Sequence, residues 1–135
     1  MIYIRQKVFL GGTCAGSDWR KVLIPMLEID HFNPVVDEWN EEAREEEFRQ
    51  KEIGCDFILY TITGDSESYY SIAEVVDDSN KRPHRTIMCL LTETMSPKQK
   101  SSMEAVAEMV ERNGTRVFYS LEDVADYLNS QGNQM

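Results

Sequence analysis

Glu74 stands in the stretch "SESYYSIAEVVDDSNK", residues 66–81, where it is flanked on both sides by apolar residues, Ala73 and Val75. A glutamate is negative at neutral pH and needs no activating base. It is therefore either one more solvated charge or a group that does chemistry. The stretch around it reads as an amphipathic helix, with Ser66 and Ser68 available to cap the first turn and Tyr69, Ile72, Ala73 and Val76 at helical spacing. Helical phasing sets Glu74 with Tyr70 and Asp77 or Asp78, off that apolar stripe, where solvent-exposed glutamates are normal.

A second group of residues has the composition of a ligand cradle. "GGTCAGSDW", residues 11–19, combines Gly11, Gly12 and Gly16 with the hydroxyls of Thr13 and Ser17 between an apolar run and a helical pattern. Glycine lets backbone approach a ligand closely, and a helix start presents free N–H groups to an anion. Neither the P-loop pattern nor GxGxxG is present, so a plain tight turn and a cradle for phosphate or sugar both fit. Cys14 has no histidine near it in sequence and reads as a small loop residue rather than a nucleophile. Asp65 can cap the loop ahead of its helix or contact a ligand, whereas Asp56 reads as structural, at a helix-to-strand junction.

Positioning these groups falls to five β-rich runs that alternate with helical stretches. The runs are "KVFLGG" (7–12), "HFNPVV" (31–36, with Pro34 against pairing), "DFILYTIT" (56–63), residues 86–91 and "TRVFYS" (115–120). Helices are expected from residue 17 or 18 to about 28, with Pro25 kinking it or near its end, and over 39–53, ended by Gly54. Further helices are expected after residue 66, from Ser96–Pro97 to Asn113–Gly114, and from Ser120 through Leu121, Val124, Ala125 and Leu128. The run "EEAREEEFRQKE" reads as a solvated face with i,i+4 pairs such as Glu47–Lys51, and Met103 and Met109 as packing residues. Alternating strands and helices imply an α/β fold with one doubly wound, mainly parallel five-stranded sheet. Ligands in such sheets bind beyond the carboxyl ends of the strands, at the switch point. Residues 1–129 form one domain on this reading, and 130–135 a loose tail.

With 24 acidic residues against 14 basic and a net charge of −10, long nucleic acids and anionic membranes are poor partners. A loop of backbone amides can still hold one phosphate. Three dispersed cysteines and two histidines offer neither a disulfide framework nor a metal site, and no cofactor is called for. The first twelve residues lack a long apolar run, which points to a cytoplasmic address.

Four segments, "VFLGGTCAGSDWR", "FNPVVDEW", "GCDFILYTITGD" and "SYYSIAEVVDDSNK", together resemble the nucleoside 2-deoxyribosyltransferase-like family, in its small bacterial and phage branch. They follow the family's order over roughly residues 7 to 91. The resemblance implies a flavodoxin-like sheet and a homo-oligomer, dimer or higher, acting on a small nucleoside or nucleotide. It implies cleavage or base exchange at the N-glycosidic bond of a 2′-deoxynucleoside or its 5′-monophosphate, as in a nucleoside deoxyribosyltransferase or nucleotide N-glycosidase. The family's nucleophilic glutamate maps onto Glu74, which would form a covalent glycosyl-enzyme through an oxocarbenium-like transition state. Gly11, Gly12 and Thr13 match the loop against the sugar or 5′-phosphate, and Ser17 and Asp65 are further substrate-binding candidates. Ser68 matches a phosphate-contacting serine of the monophosphate-cleaving relatives. Asn33, Asp37 and Trp39 lie in the segment that borders the base, where an aromatic ring can stack.

Three features depart from the family pattern. Tyr69, Tyr70, Val75 and Asp77 surround the glutamate where glycines are common, and the helper aspartate's position falls on Phe48, with Glu47 beside it. The C-terminal asparagine that a partner supplies has no secure match in "NSQGNQM". The missing glycines and Phe48 favour an alternative, a nucleotide-binding or sensing module that has lost the chemistry; an interaction-only role ranks last. Reach from Glu74 to Thr13 and Asp37 across one crevice is the arrangement the enzymatic reading expects.

Overall fold

The computed structural model describes residues 6–132. Five parallel strands, β1 (Lys7–Gly12), β2 (Asp30–Phe32), β3 (Phe57–Ile62), β4 (Thr86–Leu90) and β5 (Arg116–Phe118), lie in the order β2-β1-β3-β4-β5. Alternation along each strand divides its side chains between two layers. Val8, Leu10, Phe57, Leu59, Ile87 and Cys89 face one way. They meet α1 (Trp19–Leu23) and α5 (Leu121–Gly132). Phe9, Ile58, Tyr60, Ile62, Met88 and Leu90 face the other way, toward α3 (Tyr69–Lys81) and α4 (Pro97–Arg112). β3 is buried at every position, as its unbroken apolar run requires.

Proline and capping chemistry trim the expected elements. α1 stops at Leu23 and passes into a 3₁₀ turn over Ile24–Met26, because Pro25 has no N–H to continue an α-helical ladder. β2 ends at Phe32, short of Pro34, and residues 33–40 run without regular structure. The charged helix begins later than expected. Asn40 caps α2 (Glu41–Arg49) by accepting a hydrogen bond from Ala43 N at 2.8 Å, which leaves Trp39 outside it. A π turn over Gln50–Gly54 follows. Met103 packs as expected, but Met109 is half exposed. α5 continues to Gly132 and so takes in the first three residues of the segment expected to be loose; residues 133–135 lie outside the described residues.

The stripe expected on α3 is displaced. Val75, Asp78 and Ser79 are buried, Ile72 and Val76 are half-buried, and Tyr69 and Ala73 face outward. Polar partners, some from distant elements and some local, explain the shift. Asp78 meets Lys51, Arg82 and Tyr60, while the Ser79 hydroxyl donates to Val76 O and accepts from Asn113. Among the described residues no helix is long and apolar enough to cross a membrane.

The end of β1 is where the sheet leaves least room. Gly12 has φ +122°, and a Cβ there would lie 2.1 Å from Thr61 O of the neighbouring strand. Any side chain at that position combines a disfavoured φ with a backbone collision. Gly12→Ala is expected to destabilise the fold by at least about 2 kcal/mol. That is a fall of roughly 6–10 °C in Tm for a domain of this size, read by thermal unfolding.

Candidate active site

The order β2-β1-β3 makes the chain reverse direction across the sheet after β2, so the loops after β1 and β3 part at their carboxyl ends. The loop after β1 is tied down from beneath. Thr13 N donates to Thr61 O at 2.9 Å, and Trp19 Nε1 donates to Thr13 O at 2.8 Å. Arg20 lies buried over the Trp19 ring and donates to the carbonyls of Leu10 and Thr13 at 3.0 and 2.9 Å. Its guanidinium thus takes up carbonyl groups that the glycine-rich turn leaves without strand partners.

Above this loop opens a crevice of about 570 Å³. Gly11, Gly12, Cys14 and Arg20 form one side, and Pro34, Val35, Val36 and Trp39 form the next. Arg44 and Glu47 of α2 and Tyr70, Ser71 and Glu74 of α3 close the rest. A smaller hollow of about 360 Å³ shares Trp39, Arg44, Glu47, Tyr70 and Glu74 and reaches Phe48 and Lys51. The volume suits a small organic ligand, and the exposed Trp39 and Tyr70 rings stand at its mouth.

Of the residues expected from sequence, Gly11, Gly12, Trp39 and Glu74 come together at the crevice. Thr13 turns away from it. Its hydroxyl pairs with that of Ser68 at 2.6 Å and accepts from Thr63 N at 3.0 Å, and both residues are buried. Ser68 therefore occupies the N-cap position of α3 without its side chain capping the helix. It borders a different hollow, between the starts of α3 and α4. Ser17 is half-buried ahead of α1, Asn33 accepts from Val35 N at 3.1 Å, and Asp37 and Asp65 are exposed; none of these four lines the crevice. Asp56 accepts from Lys7 N at 2.9 Å, which fastens the entry of β3 to that of β1.

The carboxylate of Glu74 is withdrawn from solvent, with its side chain only 14 % exposed. Lys51 Nζ donates to its Oε2 at 3.0 Å and also contacts Asp78 Oδ2 at 3.1 Å, so the expected Glu47–Lys51 surface pair gives way to this inward one. Asp78 in turn accepts from the Tyr60 hydroxyl at 2.5 Å and pairs with Arg82, which reaches Glu52 as well. Burial raises the Glu74 pKa above the ordinary carboxylate value; Lys51 pulls it back and Asp78 pushes it up again. For Lys51, burial works downward, but the two carboxylates outweigh it and leave its pKa raised.

Sequence reasoning left Lys51, Asp78 and Tyr60 unmarked. One signal was available: Glu74, Asp78 and Arg82 follow each other at i,i+4 and so share a helix face. Nothing local connects Lys51 to that face.

Glu47 is the second carboxylate of the crevice. Burial, then the charge of Glu74, raises its pKa to about 7. Near neutral pH it exists in both forms, so it can give or accept a proton. Folding raises this pKa from an ordinary 4.5, so the native state binds more protons than the unfolded chain and loses stability as pH climbs from about 4.5 to about 7. Glu47→Gln removes that loss. Its Tm should exceed the wild-type value above pH 7 and converge with it near pH 4.5, measured by thermal unfolding across a pH series.

The model of the family described as nucleoside 2-deoxyribosyltransferase like matches residues 5–94, about two-thirds of the chain. No curated protein matches the chain in sequence. The matched stretch carries β1 to β4 and all the crevice residues named above. The chain belongs to the nucleoside 2-deoxyribosyltransferase-like family.

Proposed function

We propose that this protein cleaves or exchanges the N-glycosidic bond of a 2′-deoxynucleoside or its 5′-monophosphate, with Glu74 as nucleophile. The observation that carries the reading is the pairing of two unlike carboxyl environments in one crevice. Glu74 is held against an ammonium group, and Glu47 is poised near neutrality. Two such groups divide the labour of a retaining glycosyl transfer.

In the first step the C1′–N bond breaks with its electron pair going to the base, while protonated Glu47 donates to the departing base. A Glu74 oxygen bonds to C1′ as positive charge develops there. In the second step an incoming base or water gives a proton to Glu47 and bonds to C1′, and the Glu74–sugar bond breaks with its pair returning to the carboxylate. Trp39 at the mouth offers a face on which a base can stack, and Gly11 and Gly12 let the sugar approach the backbone.

The test is incubation of the protein with each deoxynucleoside and deoxynucleoside 5′-monophosphate, with and without an acceptor base, with products separated by chromatography. Base release or exchange is expected. Glu74→Gln should lower kcat on the order of 10³-fold or more, and Glu47→Gln by about 10²–10⁴-fold. Absence of turnover with every substrate, or full activity in Glu74→Gln, would remove the proposal.

A second reading, a nucleotide-binding or sensing module, draws support from the mutual pairing of the Thr13 and Ser68 hydroxyls, which turns both from the crevice. Tight nucleotide binding without turnover, unchanged in Glu74→Gln, would favour it.

A further inference from the structure

Lys51 belongs by sequence to the most charged segment of the chain, yet its side chain is only 15 % exposed. The π turn brings it inward. Cys55 N donates to Gln50 O five residues back, at 2.8 Å, so residues 50–54 leave the angular register of α2. The ammonium then lies 5.4 Å from the Tyr60 ring centroid and 6.0 Å from that of Phe9, within reach of cation–π attraction. π turns of this kind concentrate at functional sites.

Around Glu74 the charged and titratable groups come from four elements. Lys51 comes from the π turn, Glu47 from α2, Tyr60 from β3 and Asp78 from α3 itself. Arg82 stands behind Asp78, and Arg44 borders the same crevice. Lys51 is the cation of this set that contacts both Glu74 and Asp78.

We propose that Lys51 is the positioning residue of the reaction: it holds Oε2 of Glu74, leaves Oε1 to attack C1′, and compensates the charge that Glu74 loses and regains. The inference rests on the reading of Glu74 as nucleophile. In the free enzyme the ammonium balances one of two carboxylates. Once Oε1 is esterified, Oε2 becomes a carbonyl oxygen that still accepts from Lys51, and Asp78 keeps the ammonium paired. No buried cation is then left alone at the intermediate. When the glycosyl bond breaks, the returning negative charge meets a donor already in place, which costs no reorganisation. Asp78, fixed by Tyr60 and Arg82, anchors Lys51 without touching the sugar.

The proposal is tested by titrating the glutamate side-chain carboxyls by ¹³C NMR, alongside the pH profile of kcat/KM for base release. Lys51→Gln, Lys51→Arg and Asp78→Asn are compared with the wild-type protein. Lys51 lowers the Glu74 pKa and Asp78 raises it, so the two removals have opposite signs. Lys51→Gln is expected to move the Glu74 titration, and the acid limb of kcat/KM with it, upward by at least about one pH unit. Asp78→Asn should move both downward, and Lys51→Arg should restore the wild-type midpoint because the charge is kept. If Lys51→Gln does not fold, Lys51→Met, which keeps the buried stem and removes the charge, takes its place with the same upward shift expected. An unshifted Glu74 midpoint in the variant that removes the ammonium would overturn the role of Lys51. Protein without turnover whose Glu74 midpoint nevertheless responds as stated would overturn the glycosyl-transfer reading and leave the electrostatic one intact.

Discussion

An ammonium ion lying between two carboxylates, close under the central strands, is the interaction on which the site depends. Taking an ion out of water costs several kcal/mol, and Glu74, Asp78 and Lys51 are all largely removed from solvent. None of the three is tolerable there alone. Together, with the Tyr60 hydroxyl and Arg82 taking the remaining valences of Asp78, they form a neutralised cluster that joins β3, α3 and the π turn. Such a cluster is weak evidence for stability, since well-packed apolar residues of similar volume often serve equally well. Its presence is better explained by what it does to Glu74, which it keeps fixed and available beside a crevice.

The crevice walls follow from a second constraint, the closeness of β1 to β3. Gly12 faces the Thr61 backbone at a distance no side chain would allow, and a Cβ at Gly11 would press on the Tyr60 ring at 3.0 Å. The carbonyls released by this tight passage are collected by Arg20 and Trp19. One floor therefore serves two ends. Above the glycines lies open space for a ligand, and below them the hydrogen bonding of the loop is complete.

Electrostatics then separates the two crevice carboxyls. Both are partly desolvated, but Glu74 has an ammonium partner at 3.0 Å and Glu47 is raised to about 7 with Glu74 as its charged neighbour. Placing two carboxyls in unlike surroundings, one against an ammonium and one without it, lets one site offer two different carboxyl roles. The overall charge of −10 does not oppose this, because a small ligand responds to the groups lining its crevice, Arg44 among them.

The order of elements, the all-buried third strand, the tight glycine turn and the cores of α4 and α5 could be read from residue pattern, since period and turn chemistry are local properties. The location of Glu74 one to two turns into the helix after the third strand was equally legible. The surroundings of that carboxylate were not. Helical phasing assigned it to solvent with Tyr70, whereas the fold sets α2 and the π turn over the same face and closes it. By sequence Lys51 is one charge in a solvated run, and Thr13 and Ser68 are ligand contacts. In the fold the lysine is buried against carboxylates 23 and 27 residues away, and the hydroxyls are spent on each other across 55. The chain thus determined by itself which elements form and in what order, because those depend on neighbours in sequence. Which polar groups lose water and which partner each then takes was decided by tertiary packing, because desolvation and ion pairing are set by distances that no local spacing encodes.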